Sequence, residues 1–251
     1  MLNMIRHGVP TDAPPLLIAH GLFGSGRNWG VIAKRLSDER EVIAVDMRNH
    51  GDSPRLPTHS YFDLADDLAE VIASLPEGRA DVLGHSMGGK AAMVLALRHG
   101  ARVNKLVVAD IAPVAYGHSQ QSQIDAMRRV DLARIRNRQE AAAQMQAATP
   151  EIAAFLLQSL DMAARRWKID LDLFEREMGT VVGFPAVAGH FDGPTLFLSG
   201  ALSDYVLPEH RPQIRALFSQ AKFAKIPQAG HWLHAEQPRP FEQAVRVFLN
   251  M

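Results

Sequence analysis

A serine between glycines is the feature of this sequence best suited to nucleophilic chemistry. Ser86 lies within residues 84–89, which read Gly-His-Ser-Met-Gly-Gly. An apolar run at 80–83 precedes this segment and a small-residue helical stretch at 90–98 follows it, so the pattern predicts a strand, a sharp turn and a helix. G-x-S-x-G in that setting is a nucleophile elbow, a strained turn that requires neighbours without side chains. A chance Gly/Ser turn is the alternative, and the correct flanks favour the nucleophile.

A serine hydroxyl is a weak nucleophile and needs a neighbouring base. In proteins with such an elbow the partners follow in the order serine, acid, histidine. His231 follows the last predicted strand, where its side chain can reach back over the carboxyl edge of a sheet, and this position favours it over His234. His20, His50 and His85 precede the serine or adjoin it, so we expect them to brace loops.

Two aspartates are candidates for the acid that orients the base. Asp110 ends the strand after the elbow helix, and Asp204 lies just past a later strand. Both would lie near the carboxyl edge of a parallel sheet, where open α/β folds bind their ligands. Asp46 and Asp52 come before the serine and fit the expected order poorly. The residues alone do not choose between Asp110 and Asp204.

The glycine-rich loop at 20–26 is a candidate oxyanion-binding loop. The expected donors are the backbone N–H of Met87, directly after the serine, and that of Leu22 in this loop. Phosphate binding is the alternative for a glycine-rich loop before a helix. The loop lacks the G-x-G-x-x-G spacing and a Gly-Lys-Ser/Thr sequence, so that alternative is weak.

Strand and helix patterns alternate along most of the chain, which predicts an α/β fold with a mostly parallel central sheet and helices on both faces. We predict one domain over residues 1–251. The alternation breaks over about 116–190, an Ala-, Gln- and Arg-rich stretch that reads as helices with no buried strand. This insertion would be a helical lid or another covering layer. The predicted strands are 2–6, 16–19, 41–46, 80–83, 105–110, 194–199 and 222–226, and the predicted helices include 28–36, 61–74, 90–98, 151–160, 208–218 and 237–249.

Four aromatic residues are candidates for the wall of a substrate pocket. Phe23 and Trp232 adjoin the oxyanion loop and the candidate histidine, and Phe155 and Trp167 lie in the insertion. The alternative for aromatic residues in the insertion is its own core, and we expect about half of them to be buried there. A run of arginines at 128–138 is more typical of a solvated helix face than of an anion site, because aspartates interleave it.

Composition excludes several classes of protein. The 251 residues carry a formal net charge of +0, so nothing global favours nucleic acid or an anionic membrane as a partner. No cysteine is present, which excludes disulfides, a thiol nucleophile and cysteine-bound metal. The N-terminus is not a signal peptide and no apolar run is long enough for a membrane span. We therefore expect a cytoplasmic protein without metal or cofactor, with an oligomeric state that the sequence does not indicate.

Five segments together resemble the α/β-hydrolase superfamily, and more closely the small YbfF-type bacterial esterases. The resemblance spans nearly the whole chain and is weakest over about 116–190. It implies the α/β-hydrolase fold and the hydrolysis of esters. The segments are HGLFGS at 20–25, DMRNHGDSP at 46–54, GHSMGGK at 84–90, DIAPV at 110–114 and GHWLHAE at 230–236.

The resemblance also bears on the acid. Many relatives carry the aspartate at the fourth position of a Gly-x-x-Asp turn, where this chain has Ser203, with Asp204 displaced by one residue. In YbfF-type esterases the acid instead follows the preceding strand, which matches Asp110, and a serine matches Ser203. The resemblance therefore implies Asp110 as the acid, Ser203 as an auxiliary hydrogen-bond partner of the histidine, and Asp204 as the reserve.

These observations predict a serine esterase that uses Ser86, His231 and Asp110 and forms an acyl-enzyme on carboxylic esters or on thioesters such as acyl-coenzyme A. Another reaction on the same fold is the alternative, namely carbon–carbon bond hydrolysis, lactone opening or perhydrolysis. A binding protein that has lost catalysis is a third. Dehalogenases and epoxide hydrolases carry aspartate where this chain has Ser86, which argues against them. Acyl chain length and leaving group are not indicated.

Overall fold

A mostly parallel β-sheet forms the centre of the molecule. The structure is a computed structural model that describes residues 1–146 and 149–251. Its strands in chain order are β1 (Met4–His7), β2 (Leu16–Ala19), β3 (Val42–Val45), β4 (Ala80–His85), β5 (Val103–Ala109), β6 (Leu160–Asp161), β7 (Arg166–Trp167), β8 (Thr195–Gly200) and β9 (Ala221–Ile226). Within these residues seven strands form the main sheet in the order β1-β3-β2-β4-β5-β8-β9. The predicted fold class is confirmed.

The sheet has one antiparallel edge. Strand β1 pairs antiparallel with β3, and the other neighbouring pairs of the main sheet are parallel. This first strand begins at Met4 rather than at the predicted Leu2. Strands β2, β3, β4 and β8 are buried over their whole length, as expected for parallel strands covered on both faces.

Helices cover both faces of the sheet. One face packs against α2, α3 and α9, and the other packs against α1 and α11. Three predicted helices begin or end in 3₁₀ turns, at Gly26–Trp29, Leu157–Ser159 and Pro208–His210. The helices are α1 (Gly30–Leu36), α2 (Tyr61–Ala73), α3 (Met87–Arg98), α4 (Gln121–Arg128), α5 (Arg138–Gln144), α6 (Pro150–Leu156), α7 (Leu171–Arg176), α8 (Met178–Val182), α9 (Arg211–Leu217), α10 (Leu233–Glu236) and α11 (Pro238–Leu249).

Strand register brings the ends of the central strands to one edge of the sheet. Ala19 at the end of β2 pairs with Gly84 of β4, and His85 at the end of β4 pairs with Ala109 at the end of β5. Because these strands are parallel, the loops that follow them leave the sheet on the same side. This carboxyl edge is where the candidate site lies.

The insertion between β5 and β8 has a hydrophobic core that includes Ile124, Leu156, Trp167 and Phe174, and Phe23 of the loop after β2 packs into the same core. The insertion contains α4 to α8, and it also contains the two-residue strands β6 and β7, paired antiparallel. The insertion is therefore not purely helical, although neither of these short strands is buried over its whole length. Two-residue strands are too short to produce an alternating pattern, and the turn between them depends on Asp161, whose carboxylate accepts two backbone N–H groups.

None of the helices in the described part of the chain combines the length and the apolar character needed to cross a lipid bilayer.

Candidate active site

Ser86 occupies a strained turn between β4 and α3. Its φ of 53° and ψ of −119° lie in a region that residues with side chains rarely adopt. The turn also crowds its neighbours. A Cβ on Gly84 would lie 2.3 Å from the carbonyl oxygen of Gly88, and one on Gly88 would lie 2.4 Å from that of Ala19. Glycine is therefore required at both positions, and the serine side chain is carried at the top of the sheet.

His231 bridges the serine and a carboxylate. Its Nε2 lies 3.1 Å from Ser86 Oγ, and its Nδ1 lies 2.8 Å from Asp110 Oδ2. The histidine follows β9 and begins the segment that leads into α10. With Nδ1–H donated to the carboxylate, Nε2 is the nitrogen free to accept a proton from the serine.

Asp110 is fully buried at the end of β5, with no exposed surface. Its Oδ1 accepts the backbone N–H of Gly200 at 3.0 Å, and its Oδ2 accepts the hydroxyl of Ser203 at 2.5 Å. A Cβ on Gly200 would lie 2.2 Å from the carbonyl oxygen of Gly230, so the strand and the histidine loop touch there. These hydrogen bonds replace the water that a buried carboxylate loses.

Two further polar candidates of the sequence, Ser203 and Asp204, lie near the end of β8. The Ser203 hydroxyl contacts Asp110 rather than the histidine, so its expected role as a direct partner of His231 is corrected. Asp204 is exposed, and no hydrogen bond or ion pair in residues 1–146 and 149–251 joins it to His231.

Tyr205 is a residue of this site that sequence reasoning missed. Its ring stacks on the His231 imidazole, with centroids 4.0 Å apart and planes at 19°. The Tyr116 hydroxyl donates to the Tyr205 carbonyl oxygen at 2.7 Å and accepts the Ala112 N–H at 2.9 Å. The stack restricts rotation of the imidazole. In the sequence, Tyr205 could have been noticed because it directly follows Ser203 and Asp204.

The loop after β2 faces the elbow. A Cβ on Gly21 would lie 3.2 Å from the Cβ of Ser86. In the described part of the chain, no protein acceptor takes the backbone N–H of Leu22 or that of Met87. Two free N–H groups beside a serine are the geometry of an oxyanion hole.

His20 holds this loop through both ring nitrogens. Nε2 accepts the Met47 N–H at 2.9 Å, and Nδ1 donates to the Gly21 carbonyl at 2.7 Å. Burial lowers the pKa of His20, which keeps the ring neutral and able to accept. The Gly21 carbonyl shares a peptide plane with the Leu22 N–H, so this hydrogen bond also orients that donor.

The remaining histidines of the edge are neutral packing groups. His85 donates from Nε2 to the His231 carbonyl oxygen at 2.9 Å, and burial holds its pKa well below the usual range. His234 stacks on Trp29 at 4.2 Å, and burial lowers its pKa to about 3. His50 donates to the Arg48 carbonyl at 3.0 Å. A neutral, buried His234 does not reach the serine.

A cavity of about 90 Å³ opens at Ser86 between the sheet edge and the insertion. Phe23, Phe155 and Trp232 line it. Trp167 does not belong to this cavity. It is 7% exposed within the core of the insertion, and its Nε1–H donates to the Met127 carbonyl oxygen at 3.2 Å. The expectation for Trp167 is corrected, because its indole, on β7, is buried among the helices of the insertion and bonded to one of them.

Comparison with known proteins identifies the family of this chain. The family model for the α/β hydrolase fold matches residues 14–238. This chain belongs to the α/β hydrolase family. The resemblance predicted from the sequence is confirmed.

Three similar proteins are esterases or lipases by name. The chain is 38% identical over 239 residues to esterase YbfF of Escherichia coli, covering 94% of this chain and 93% of the relative. It is 39% identical over 248 residues to the sn-1-specific diacylglycerol lipase ABHD11 of Mus musculus, covering 94% and 81%. A solved marine microorganism esterase has a TM-score of 0.92 at 38% identity, covering 98% of each chain. This α/β hydrolase is accordingly a serine carboxylic ester hydrolase.

Proposed function

We propose that Ser86, His231 and Asp110 are the catalytic triad of this ester hydrolase and that the reaction passes through an acyl-enzyme. One observation carries the proposal. The contacts of 3.1 Å and 2.8 Å form an unbroken path from the serine hydroxyl through the imidazole to a carboxylate with no exposed surface. That arrangement matches the roles of nucleophile, general base and orienting acid.

Acylation follows from these positions. Ser86 Oγ attacks the ester carbonyl carbon while His231 Nε2 takes its proton. Asp110 holds the imidazole tautomer and stabilises the imidazolium that forms. The oxyanion accepts hydrogen bonds from the backbone N–H groups of Leu22 and Met87. Collapse of the tetrahedral intermediate breaks the bond to the alcohol oxygen, which His231 protonates as it leaves.

Deacylation reverses the same proton transfers. Water enters where the alcohol left, His231 removes its proton, and the hydroxide oxygen attacks the acyl carbon. The second tetrahedral intermediate returns the proton to Ser86 Oγ and releases the carboxylic acid. Ser203 assists throughout by donating to Asp110 Oδ2, the oxygen that also accepts from His231. Its hydrogen bond helps to hold the buried carboxylate in place.

The substrate is a small-molecule ester whose acyl group enters the cavity beside Phe23, Phe155 and Trp232. Thioesters share the same acyl chemistry and are tested with the esters. Residues 116–190 form a lid within one domain of residues 1–251. This is supported by Phe155 and Val181, which line the cavity from the insertion, and by the hydrophobic core beneath them.

Labelling with a serine-reactive fluorophosphonate tests the triad. Wild type and Ser86→Ala are treated side by side and analysed by intact mass. We expect a single adduct on the wild type and none on the variant, because only a serine activated by a base reacts rapidly. Circular dichroism of both proteins controls for folding. A folded wild type without an adduct, or an equal adduct on Ser86→Ala, would contradict the proposal.

A panel of esters and matched thioesters follows. Hydrolysis of esters that disappears in Ser86→Ala supports the proposed reaction, and the ratio of rates on the matched pairs gives the preferred leaving group.

A further inference from the structure

Lys90 is a buried charge that the proposed reaction does not use. It lies four residues after Ser86 on α3 and is 1% exposed. Lysine is almost never fully buried unless its charge is paired. In residues 1–146 and 149–251, however, no carboxylate lies within ion-pair distance of its ammonium group. The charge is stabilised by other groups.

Backbone carbonyls and an aromatic ring surround the ammonium. Nζ donates to the carbonyl oxygens of Val182 at 2.8 Å and of Gly183 at 2.6 Å. It also lies 4.7 Å from the centroid of the Tyr116 ring. Burial lowers the pKa of Lys90 to about 7.

The two carbonyls belong to the end of α8, the last helix of the insertion. The final carbonyls of a helix have no partner within it, and a positive charge at this end is favourable. A five-residue helix is not stable by itself in water, so its position depends on contacts from outside.

Neighbouring groups hold the same short segment. The Tyr61 hydroxyl donates to the Val181 carbonyl oxygen at 2.6 Å, and the Tyr116 N–H donates to that of Val182 at 3.0 Å. Together with Lys90, these donors bind three consecutive carbonyls. The segment is therefore attached to the nucleophile helix and to α2 rather than only to the insertion.

The same segment forms a wall of the cavity at Ser86. Val181 and Val182 both line it, together with Lys90. The distance between this valine wall and the nucleophile consequently depends on how α8 is attached to α3. A displacement of the wall would lengthen the space that an acyl chain can occupy.

We propose that Lys90 determines chain-length specificity, because its ammonium group holds the Val181–Val182 wall against the nucleophile helix and limits the acyl groups that reach Ser86. The proposal rests on the proposed function, since it needs an acyl group to be bound at Ser86. Lys90 acts through the wall and is a positioning residue.

Lys105 provides a matched control. Its Nζ donates to the carbonyl oxygen of Leu249, the last residue of α11, at 2.6 Å. Lys105 therefore also binds the carbonyl end of a helix, and neither Lys105 nor Leu249 lines the cavity. Replacing it removes a similar hydrogen bond far from the substrate.

The test is acyl-chain selectivity in wild type, Lys90→Met and Lys105→Met. The measurement is kcat/KM on p-nitrophenyl acetate, butyrate, octanoate and dodecanoate, with melting temperatures recorded for each protein. We expect Lys90→Met to raise the octanoate-to-acetate ratio about tenfold, the effect of small changes of fit in an apolar pocket. Lys105→Met should keep the wild-type ratio while lowering the melting temperature. A wild-type ratio in folded Lys90→Met overturns the proposal, as does an equal change of ratio in Lys105→Met.

Two milder variants cover the case in which Lys90→Met does not fold. Lys90→Gln keeps an N–H donor without the charge, and Tyr61→Phe removes only the hydrogen bond to Val181. Both should change the ratio in the same direction by a smaller factor, and an unchanged ratio in both overturns the proposal. An inactive wild type would contradict the proposed function itself, whereas an active enzyme with unchanged ratios contradicts only the role of Lys90.

Discussion

The carboxyl edge of the sheet and the helical insertion contribute different things to one cavity. The edge supplies Ser86, Asp110 and His231, each directly after a strand or in the loop beyond it, with contacts of 2.8–3.1 Å. The insertion supplies lining residues such as Phe155 and Val181. The hydrogen-bonded sheet fixes the distances between its strand ends to a fraction of an ångström. Proton transfer needs the reacting groups to be placed with that precision. Under the proposed function, the edge supplies the reacting groups and the insertion supplies part of the wall of the substrate cavity.

The two regions are also stabilised differently. Neutral, buried histidines pack along the edge, and glycines allow its loops to touch. The insertion has an apolar core, and it contacts the rest through aromatic packing, such as Phe174 on His50 with centroids 4.7 Å apart, and also through polar contacts. Among them are Lys90 to α8, the Arg55 guanidinium to the Trp167 carbonyl oxygen at 2.8 Å, and a partly exposed ion pair of Lys168 with Asp52 at 2.6 Å. Such partly exposed pairs contribute little, so the buried lysine is the stronger attachment.

The largest effect is expected at the edge, where substitution of Asp110 and of Asp204 tests which aspartate orients His231. Asp110→Asn should lower kcat/KM roughly 10⁴-fold, because the amide favours the wrong imidazole tautomer. Asp204→Asn is the matched control and should leave kcat/KM nearly unchanged, since its side chain is exposed and not bonded to His231. Steady-state kinetics on one short ester measures both. A severe loss at Asp204 with a mild one at Asp110 would reverse the assignment.

Acid should destabilise the edge more than the insertion. Burial lowers the pKa of His234 to about 3 and holds that of His85 well below its usual range, whereas His118 and His190 of the insertion are exposed. A histidine with a lowered folded-state pKa contributes stability that is fully present above the unfolded value of about 6.5 and is lost as pH falls toward 3. We expect the urea midpoint of unfolding to fall between about pH 7 and about pH 4.

The variant His234→Phe separates this effect from carboxylate protonation. Phenylalanine keeps the stack on Trp29 and cannot be protonated, so its urea midpoint should depend less steeply on pH than that of wild type. Equal slopes for the two proteins would mean that His234 does not contribute to acid unfolding.

The smallest effect concerns two aromatic residues within the insertion. Phe155→Ala should raise KM about tenfold for an ester that fills the cavity, because the ring lines it and lies 6.1 Å from Trp232. Trp167→Phe should leave KM unchanged and lower stability by about 1 kcal/mol through the lost hydrogen bond to Met127. Kinetics and thermal melting of both variants check this. A larger change of KM at Trp167 than at Phe155 would place the substrate elsewhere.

Much of the carboxyl edge of the sheet could be predicted from the local sequence pattern. The glycines around Ser86 follow from a turn that forbids side chains, and His231 follows from its place after the last strand. The choice of acid was different, because Asp110 and Asp204 both follow strands and local pattern treats them alike. Asp110 contacts the imidazole although β8 lies between β5 and β9, the strand that His231 follows, so the contact depends on how the loops beyond these strands fold.

The sequence by itself determined the order of the elements, the fold class and the elbow, since these depend on hydrophobic period and on backbone sterics within a few residues. Only the tertiary structure decided which partner Ser203 contacts, which of Phe155 and Trp167 reaches the cavity, and that Lys90 is buried under α8. The contacts of Ser203 and Lys90 join groups 93 residues apart in the chain, and the positions of Phe155 and Trp167 depend on how the insertion packs. Side-chain environment over such separations is set by packing, which is a property of the folded chain as a whole.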